Sequence, residues 1–157
     1  MAAPDIVMYE EEFNQIKTVI SKLRIDANAK VVFLVDKNGQ QIAAQGEIEN
    51  LDTTSLASLT AGNVAATDGL ARLIGEKEFS ILFHEGERDN MHLSVVAERL
   101  ILVVVFDRRS SVGLVRLRVR QASARFNDVM ATVLAASDAE DGGIEELTEA
   151  DIESLFR

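Results

Sequence analysis

The strongest constraint on the fold is an uninterrupted apolar run in the second half of the chain. Residues 100–106 read Leu-Ile-Leu-Val-Val-Val-Phe, without a polar side chain. The run is short for a helix, and its β-branched residues favour a strand. A strand of this kind has to be covered on both faces. The run therefore predicts the central strand of a sheet with further layers on each side.

Four more strands are predicted around it. Residues 31–35 are apolar and lead into Asn38-Gly39, a dipeptide typical of tight hairpin turns. Residues 41–45 form a weaker return strand, polar and Ala-rich, which is expected at an edge of the sheet. Residues 79–83 and 91–95 form a second pair. Because most connections are short turns, the sheet should be mostly antiparallel.

Three helices complete the pattern. Apolar residues recur at spacings of three and four from Tyr9 to Leu23, from residue 53 to 75, and from Val112 to Val133. Thr53, Thr54 or Ser55 can cap the second helix, and Ser110 or Ser111 the third. The predicted order is α-β-β-α-β-β-β-α. This is an α+β domain over residues 1–136, with a five-stranded, mostly antiparallel sheet flanked by helices.

The second helix carries two different stripes. A leucine-rich stripe is interpreted as its core face, and its members are Leu56, Leu59, Asn63, Ala66, Leu70 and Leu73. A stripe of small residues recurs beside it, made of Ser58, Gly62, Ala65 and Gly69. Each glycine inside a helix costs about 1 kcal/mol relative to alanine. The small stripe could fit beneath the helix on its own sheet. Close approach of another molecule is the favoured hypothesis, with a twofold homodimer as the expected assembly.

The net charge of −10 is concentrated at the C-terminus. Residues 137–157 hold eight acidic residues and one arginine, a net charge of −7. Residues 137–146 contain Gly142-Gly143 and are predicted to be flexible. Residues 148–156 have the capping and apolar spacing of a short amphipathic helix, which is typical of a ligand for a groove. The acidic balance disfavours nucleic acid and anionic membranes as partners.

No enzyme motif is found in the sequence. The chain has no cysteine and two histidines, His84 and His92, which are interpreted as structural or surface residues with no third metal ligand nearby. Arg108 and Arg109 follow the apolar strand and could act as an arginine finger toward a GTPase. A solvated, charge-balancing role is favoured for them.

The N-terminus lacks the features of a secretion signal and no membrane-spanning run is present, so a cytoplasmic protein is expected.

Three segments carry a resemblance to a known family. They are the hairpin at residues 35–42, the helix segment Leu-Thr-Ala-Gly-Asn-Val-Ala-Ala at 59–66, and the strand-to-helix junction at 102–116. Together they resemble the Roadblock family of GTPase-associated dimers. Residues 8–13 and 151–156 also fit its bacterial subgroup of GTPase-activating proteins. The likeness covers nearly the whole chain.

The resemblance implies a homodimer that pairs through the second helix and a sheet edge. The paired helices would form a platform for a Ras-like small GTPase, and its residues would be Ala61, Gly62, Ala65, Asp68, Gly69 and Arg72. The C-terminal segment would also reach the GTPase, through Leu147, Ile152, Leu155 and Phe156. Such proteins are not enzymes and donate no arginine finger.

The function expected from the resemblance is GTPase activation in bacterial motility and cell polarity, with the cell poles as the expected location. No cofactor or metal is expected on this chain, since GTP and Mg²⁺ would belong to the GTPase. The alternative is a Roadblock-type scaffold that tethers a partner without stimulating GTP hydrolysis.

Overall fold

The computed structural model describes residues 10–145, which form three helices and five strands in the predicted order. The helices are α1 (Glu10–Asp26), α2 (Thr53–Leu73) and α3 (Val112–Glu145). The strands are β1 (Val31–Asp36), β2 (Gln41–Gly46), β3 (Ile81–Glu85), β4 (Asn90–Val96) and β5 (Leu100–Phe106). The predicted α+β class and element order are confirmed.

The five strands form one sheet in the order β2-β1-β5-β4-β3, and all four neighbouring pairs are antiparallel. The apolar run that forms β5 lies in the middle of this order, and its residues are buried except for the half-buried Val105. The prediction of a central strand covered on both faces is therefore confirmed. The two edges of the sheet are β2 and β3.

Helices cover both faces of the sheet. Alternate residues of β1 point to opposite sides, as the pleat of a strand requires. Val32 and Leu34 join the core under α1 and α3, whereas Phe33 packs in the core under α2. The larger core includes Ile16, Ile20, Leu102, Val104, Val119, Phe126 and Met130. The core under α2 includes Val31, Val35, Leu93, Ile101 and Val103.

The turn between β1 and β2 explains why glycine stands at position 39. Gly39 has a φ of +90°, a conformation that side chains strongly disfavour. A Cβ at this position would lie 3.3 Å from the Cα of Ser58, so the turn also packs against the backbone of α2. The Oδ1 of Asp36 accepts hydrogen bonds from the backbone N–H groups of Asn38 and Gln40, each at 2.9 Å. The turn thereby links the hairpin to α2.

The helix caps agree with the sequence in one case and differ in another. Ser111 caps α3, since its Oγ accepts from the N–H of Leu114 at 3.2 Å, as predicted. The cap of α2 is Asp52 rather than Thr53, Thr54 or Ser55. The Asp52 carboxylate accepts from the Ser55 N–H at 3.1 Å and from the Ser55 hydroxyl at 2.6 Å. Aspartate is as good a cap as serine, so the sequence alone does not separate these adjacent positions.

Helix α3 is longer than the sequence pattern predicted. It continues through Glu145, so residues 137–145 are helical where a flexible segment was expected. The short helix predicted over residues 148–156 lies outside the described residues. Within residues 10–145, no helix combines the length and the apolar character needed to cross a bilayer.

His92 is a buried polar residue on the α3 side of β4. It is 1% exposed, and neither ring nitrogen has a hydrogen-bond partner among the described residues. Burial lowers the pKa of His92 from its ordinary value of 6.5, and the charge of Arg116 lowers it further. The folded protein therefore holds this imidazole in its neutral form at a pH where the unfolded chain begins to bind a proton.

We expect the stability to fall as the pH drops below about 6.5, since the unfolded state then binds the additional proton. One such group contributes a slope of at most about 1.4 kcal/mol per pH unit. His92→Leu should reduce this slope in urea unfolding at pH 7.5, 6.5 and 5.5. His84→Leu, a change at the exposed histidine of β3, is the matched control. An unchanged slope in His92→Leu would contradict this role for the buried imidazole.

Candidate partner-binding surface on helix α2

The side of α2 that packs on the sheet is not the side predicted from the sequence. Its buried residues are Ala57, Thr60, Ala61, Val64 and Ala71. The predicted core face contains Leu59, Leu70 and Leu73, and these residues are 73%, 58% and 83% exposed. The prediction of a leucine-rich core face is therefore wrong. The β-branched and aromatic residues of the sheet already fill the space below, and alanine side chains let the helix lie close to them.

The exposed side of α2 consists of two adjacent flanks. The leucine flank is Leu59, Ala66, Leu70 and Leu73, and the small-residue flank is Ser58, Gly62, Ala65 and Gly69. All eight residues are exposed. A Cβ added at Gly62 or Gly69 would have no neighbour within 4 Å, so the fold of the single chain does not require glycine at either position. The prediction that the small stripe faces away from its own sheet is confirmed.

This exposed surface is also almost without charge. Asp68 and Arg72 are the charged residues of α2, and both lie in its last two turns. A solvated helix face normally carries charged and polar side chains, whereas a helix that is apolar all round is normally covered. Exposed apolar patches of this kind mark sites of protein–protein contact. The outer face of α2 is thus a candidate docking surface.

Two contacts fix the orientation of the flanks relative to the sheet. Asn63 follows Leu59 by four residues and precedes Leu70 by seven, so it lies on the leucine side of the helix. Its Nδ2 donates to the Nε2 of His84 on β3 at 2.8 Å. On the other side, Ser58 lies against Gly39 in the β1–β2 turn. The leucine flank therefore faces the β3 edge, and the small-residue flank faces the β1–β2 turn.

The β3 edge continues the apolar surface of the leucine flank. Among the described residues, β3 pairs with β4 on one side and with no strand on the other. Ile81 at its beginning is 52% exposed. An exposed edge strand presents unpaired backbone groups that can bond to another chain. The edge and the leucine flank together form a surface that can join two protein chains.

The residues predicted for the platform do not all lie on the surface. Gly62, Ala65, Gly69 and Arg72 are exposed. Ala61 is buried and packs in the core under α2, so its side chain is not available to a partner. Asp68 is half-buried, and its Oδ1 is shielded from solvent without a hydrogen-bond partner. The resemblance to the Roadblock family, rather than the periodicity of α2, assigned these two residues to the platform.

Comparison with known proteins identifies the family. Residues 15–106 match the Roadblock/LC7 domain, which is more than half of the chain and covers β1 to β5 and α2. The chain belongs to the Roadblock/LC7 family. No curated protein matches it.

Solved structures place this Roadblock/LC7 chain near the MglB proteins. Myxococcus xanthus MglB is 58% identical, with a TM-score of 0.77 over 81% of this chain and 96% of that one. The gliding protein MglB of Thermus thermophilus is 30% identical, with a TM-score of 0.75 over 82% of this chain and 97% of that one. An MglB with a tetrameric arrangement is 28% identical, with a TM-score of 0.77 over 84% of this chain and 99% of that one.

The two histidines of this Roadblock/LC7 domain lie on opposite faces of the sheet. His84 contacts Asn63 of α2, whereas its neighbour across the hairpin, His92, lies in the other layer. The sequence alone does not show whether the two histidines are close in space. Their adjacent registers in an antiparallel pair turn them to opposite sides, so they do not converge on one site.

Arg108 and Arg109, which follow β5, differ in their contacts. Arg108 is exposed. The Nε of Arg109 donates to both carboxylate oxygens of Asp107, at 3.0 and 3.1 Å, and its Nη2 lies 3.5 Å from Glu47. Hydrogen bonds from Arg109 hold the pKa of Asp107 below its ordinary value. Arg109 thus stabilises the junction between β5 and α3.

The four apolar residues predicted for the C-terminal contact, Leu147, Ile152, Leu155 and Phe156, lie outside the described residues.

Proposed function

We propose that this Roadblock/LC7 protein is a homodimeric activator of a Ras-like small GTPase of the MglA type. The observation that carries the proposal is the exposed, nearly uncharged outer face of α2, next to the open β3 edge. The likeness to Myxococcus xanthus MglB at 58% identity supports the choice of partner. The rate of GTP hydrolysis distinguishes activation of the GTPase from binding alone.

The two flanks of α2 have different roles in this proposal. The leucine flank and β3 pair with the same elements of a second copy across a twofold axis, because a self-complementary surface gives a closed dimer. The small-residue flank then remains accessible. With no side chain beyond Cβ at Gly62, Ala65 or Gly69, a partner backbone can lie close to the helix. Gly62, Ala65, Gly69 and Arg72 are the proposed GTPase contacts.

The proposed mechanism is selection of a GTPase conformation, without donation of a catalytic group. A binding surface accelerates hydrolysis when it binds the hydrolysis-competent arrangement of the switch segments more tightly than the other arrangements. The GTPase's own catalytic groups then act on GTP. Arg109 would have to break its bonds to Asp107 and Glu47 before it could reach a nucleotide. An arginine finger from this position is therefore not part of the mechanism.

The test is single-turnover GTP hydrolysis by a candidate GTPase, with and without this protein, together with a pull-down of the GTP- and GDP-loaded forms. We expect preferential binding of the GTP form and faster hydrolysis in its presence. Binding without acceleration would favour the alternative function, a Roadblock scaffold that tethers its partner. No binding to either form would contradict both functions.

A separate prediction concerns the C-terminal segment. Deleting residues 146–157 should leave folding and dimerisation intact, because the cores under both helix layers lie within residues 10–145. It should weaken GTPase binding or change nucleotide exchange, since Leu147, Ile152, Leu155 and Phe156 are the proposed contacts. Circular dichroism, light scattering and exchange of a fluorescent nucleotide measure these effects. A truncated chain that unfolds or becomes monomeric would show that the segment is structural instead.

The proposed cellular setting is the control of motility and polarity from the cytoplasm, at the cell poles. The support is the likeness to the gliding protein of Thermus thermophilus and to Myxococcus xanthus MglB. A fluorescent fusion expressed in the source cell should concentrate at the poles, and deletion of the protein should impair directed movement.

A further inference from the structure

A basic cleft lies on the side of the molecule opposite α2. It runs between the second half of α1 and the first half of α3 and has a volume of about 380 Å³. Its charged residues are Lys22, Asp26, Arg118 and Arg125, and apolar side chains of Val19, Leu23 and Ala122 line the rest. The cleft thus carries three cations and one carboxylate in a chain whose net charge is −10.

The positive charge of the cleft is not neutralised within the part of the chain that the structure describes. Lys22 already pairs with Asp26 at 2.8 Å. Arg118 and Arg125 form no ion pair with a described side chain. The Nη1 of Arg118 donates to the Oε1 of Gln121 at 3.0 Å, but its Nε is shielded from solvent and has no acceptor among these residues. Two guanidinium groups therefore remain for carboxylates, which they bind in a bidentate geometry.

The acidic end of the chain carries charges that complement these arginines. Glu149 and Glu153 are four residues apart and share one face of the short helix predicted over residues 148–156, and Glu146 precedes this helix by two residues. Ile152 and Leu155 supply apolar side chains for the lining of the cleft. Charge sign and apolar content are both complementary.

The segment cannot make this contact within its own chain. Arg118 and Glu145 are separated by 27 residues of α3, or about 40 Å. With residues 148–156 helical, the path from Glu145 to Glu153 spans at most about 19 Å. The arginine and glutamate side chains do not bridge the remaining distance, so a second copy of the chain has to supply the segment.

We propose that residues 146–157 of a second copy dock in the cleft between α1 and α3, with glutamate side chains against Arg118 and Arg125. The same segment carries the apolar residues proposed to contact the GTPase, so binding in the cleft and binding to the GTPase exclude each other. The docking is measured without any GTPase. It therefore stands or fails independently of the proposed function.

The absence of cysteine from the chain allows a direct test by disulfide trapping. Gln121→Cys places a thiol at the rim of the cleft, and Ala150→Cys places one near the glutamate face of the segment. Mixing the two full-length variants under mild oxidation should give a cross-linked pair on a non-reducing gel. The matched control replaces Gln121→Cys with Ala124→Cys, at an exposed position of α3 that does not line the cleft. We expect its yield to be lower by about tenfold, the effect of two exposed ion pairs.

Reversing the charges of the cleft and of the segment tests whether these side chains hold the segment in place. Adding Arg118→Glu and Arg125→Glu to the Gln121→Cys variant should lower the yield of cross-linked pairs to that of the control. Adding Glu146→Arg and Glu153→Arg to the Ala150→Cys variant should then restore the yield. Equal yields at Gln121 and Ala124, or no effect of the charge changes, would overturn the proposal. A cross-link formed within one chain carrying both cysteines would overturn the requirement for a second copy.

Discussion

Replacing Ala65 and Gly69 by arginine should abolish activation of the GTPase while the protein remains folded and dimeric. Both positions lie on the small-residue flank, are exposed, and tolerate a side chain in the single chain, since a Cβ at Gly69 meets nothing within 4 Å. Long charged side chains would separate the partner backbone from the helix and would have to be desolvated. We expect the affinity for the GTPase to fall by at least about 100-fold. The rate of GTP hydrolysis, measured with this protein at a limiting concentration, should fall by the same factor.

Two comparisons make this result specific. Ala124→Arg with Ala131→Arg adds the same charge to exposed positions of α3 and should leave activation unchanged. Gly69→Ala is more informative, because it should raise helix stability by about 1 kcal/mol and still weaken GTPase binding. A gain in stability together with a loss of GTPase binding is expected only if glycine at position 69 allows the close approach of a partner. Full activation by the double arginine variant would show that the GTPase binds elsewhere.

The second large effect is expected at the leucine flank. Changing Leu59 and Leu70 to aspartate should convert the dimer into a monomer, since each leucine loses about 2 kcal/mol of apolar burial and each new carboxylate has to be desolvated at the interface. Together these losses should raise the dissociation constant of the dimer by at least about 100-fold. Sedimentation velocity over a range of protein concentrations measures the change.

The control for this variant is Leu117→Asp, at an exposed leucine on α3. It introduces the same chemistry away from the proposed interface and should leave the dimer intact. Because Leu59 and Leu70 are already solvent-exposed in the single chain, their replacement should not unfold it. A dimer that persists in the double aspartate variant would place the interface on other elements.

Much of the fold could be predicted because local and long-range signals agree. The apolar run at residues 100–106 favours a strand covered on both faces, and the structure places it at the centre of the sheet. The Asp36–Gln41 turn follows from Asn38-Gly39, although Gly39 alone takes the positive φ. The extent of α3 was underestimated, because Gly142-Gly143 weakens a helix without necessarily ending it.

The orientation of α2 could not be predicted, for a physical reason. Both sides of this helix consist of apolar or small residues, so periodicity identifies two stripes without showing which one meets the sheet. Leucine is usually buried, which favoured the wrong side. In the structure, Ala57, Ala61 and Val64 pack against the sheet beside Phe33. The family resemblance placed Ala61 on the partner-binding platform, whereas the structure buries it.

Hydrogen–deuterium exchange tests most directly whether another protein lies against the outer face of α2. The chain is measured alone and with a GTPase bound to a non-hydrolysable GTP analogue. We predict slower exchange in peptides covering residues 58–73 when the GTPase is present, and unchanged exchange in residues 126–133 of α3, which lie beyond the cleft. Unchanged exchange across α2, with protection appearing elsewhere in residues 10–145, would contradict the assignment of this helix as the GTPase-binding surface.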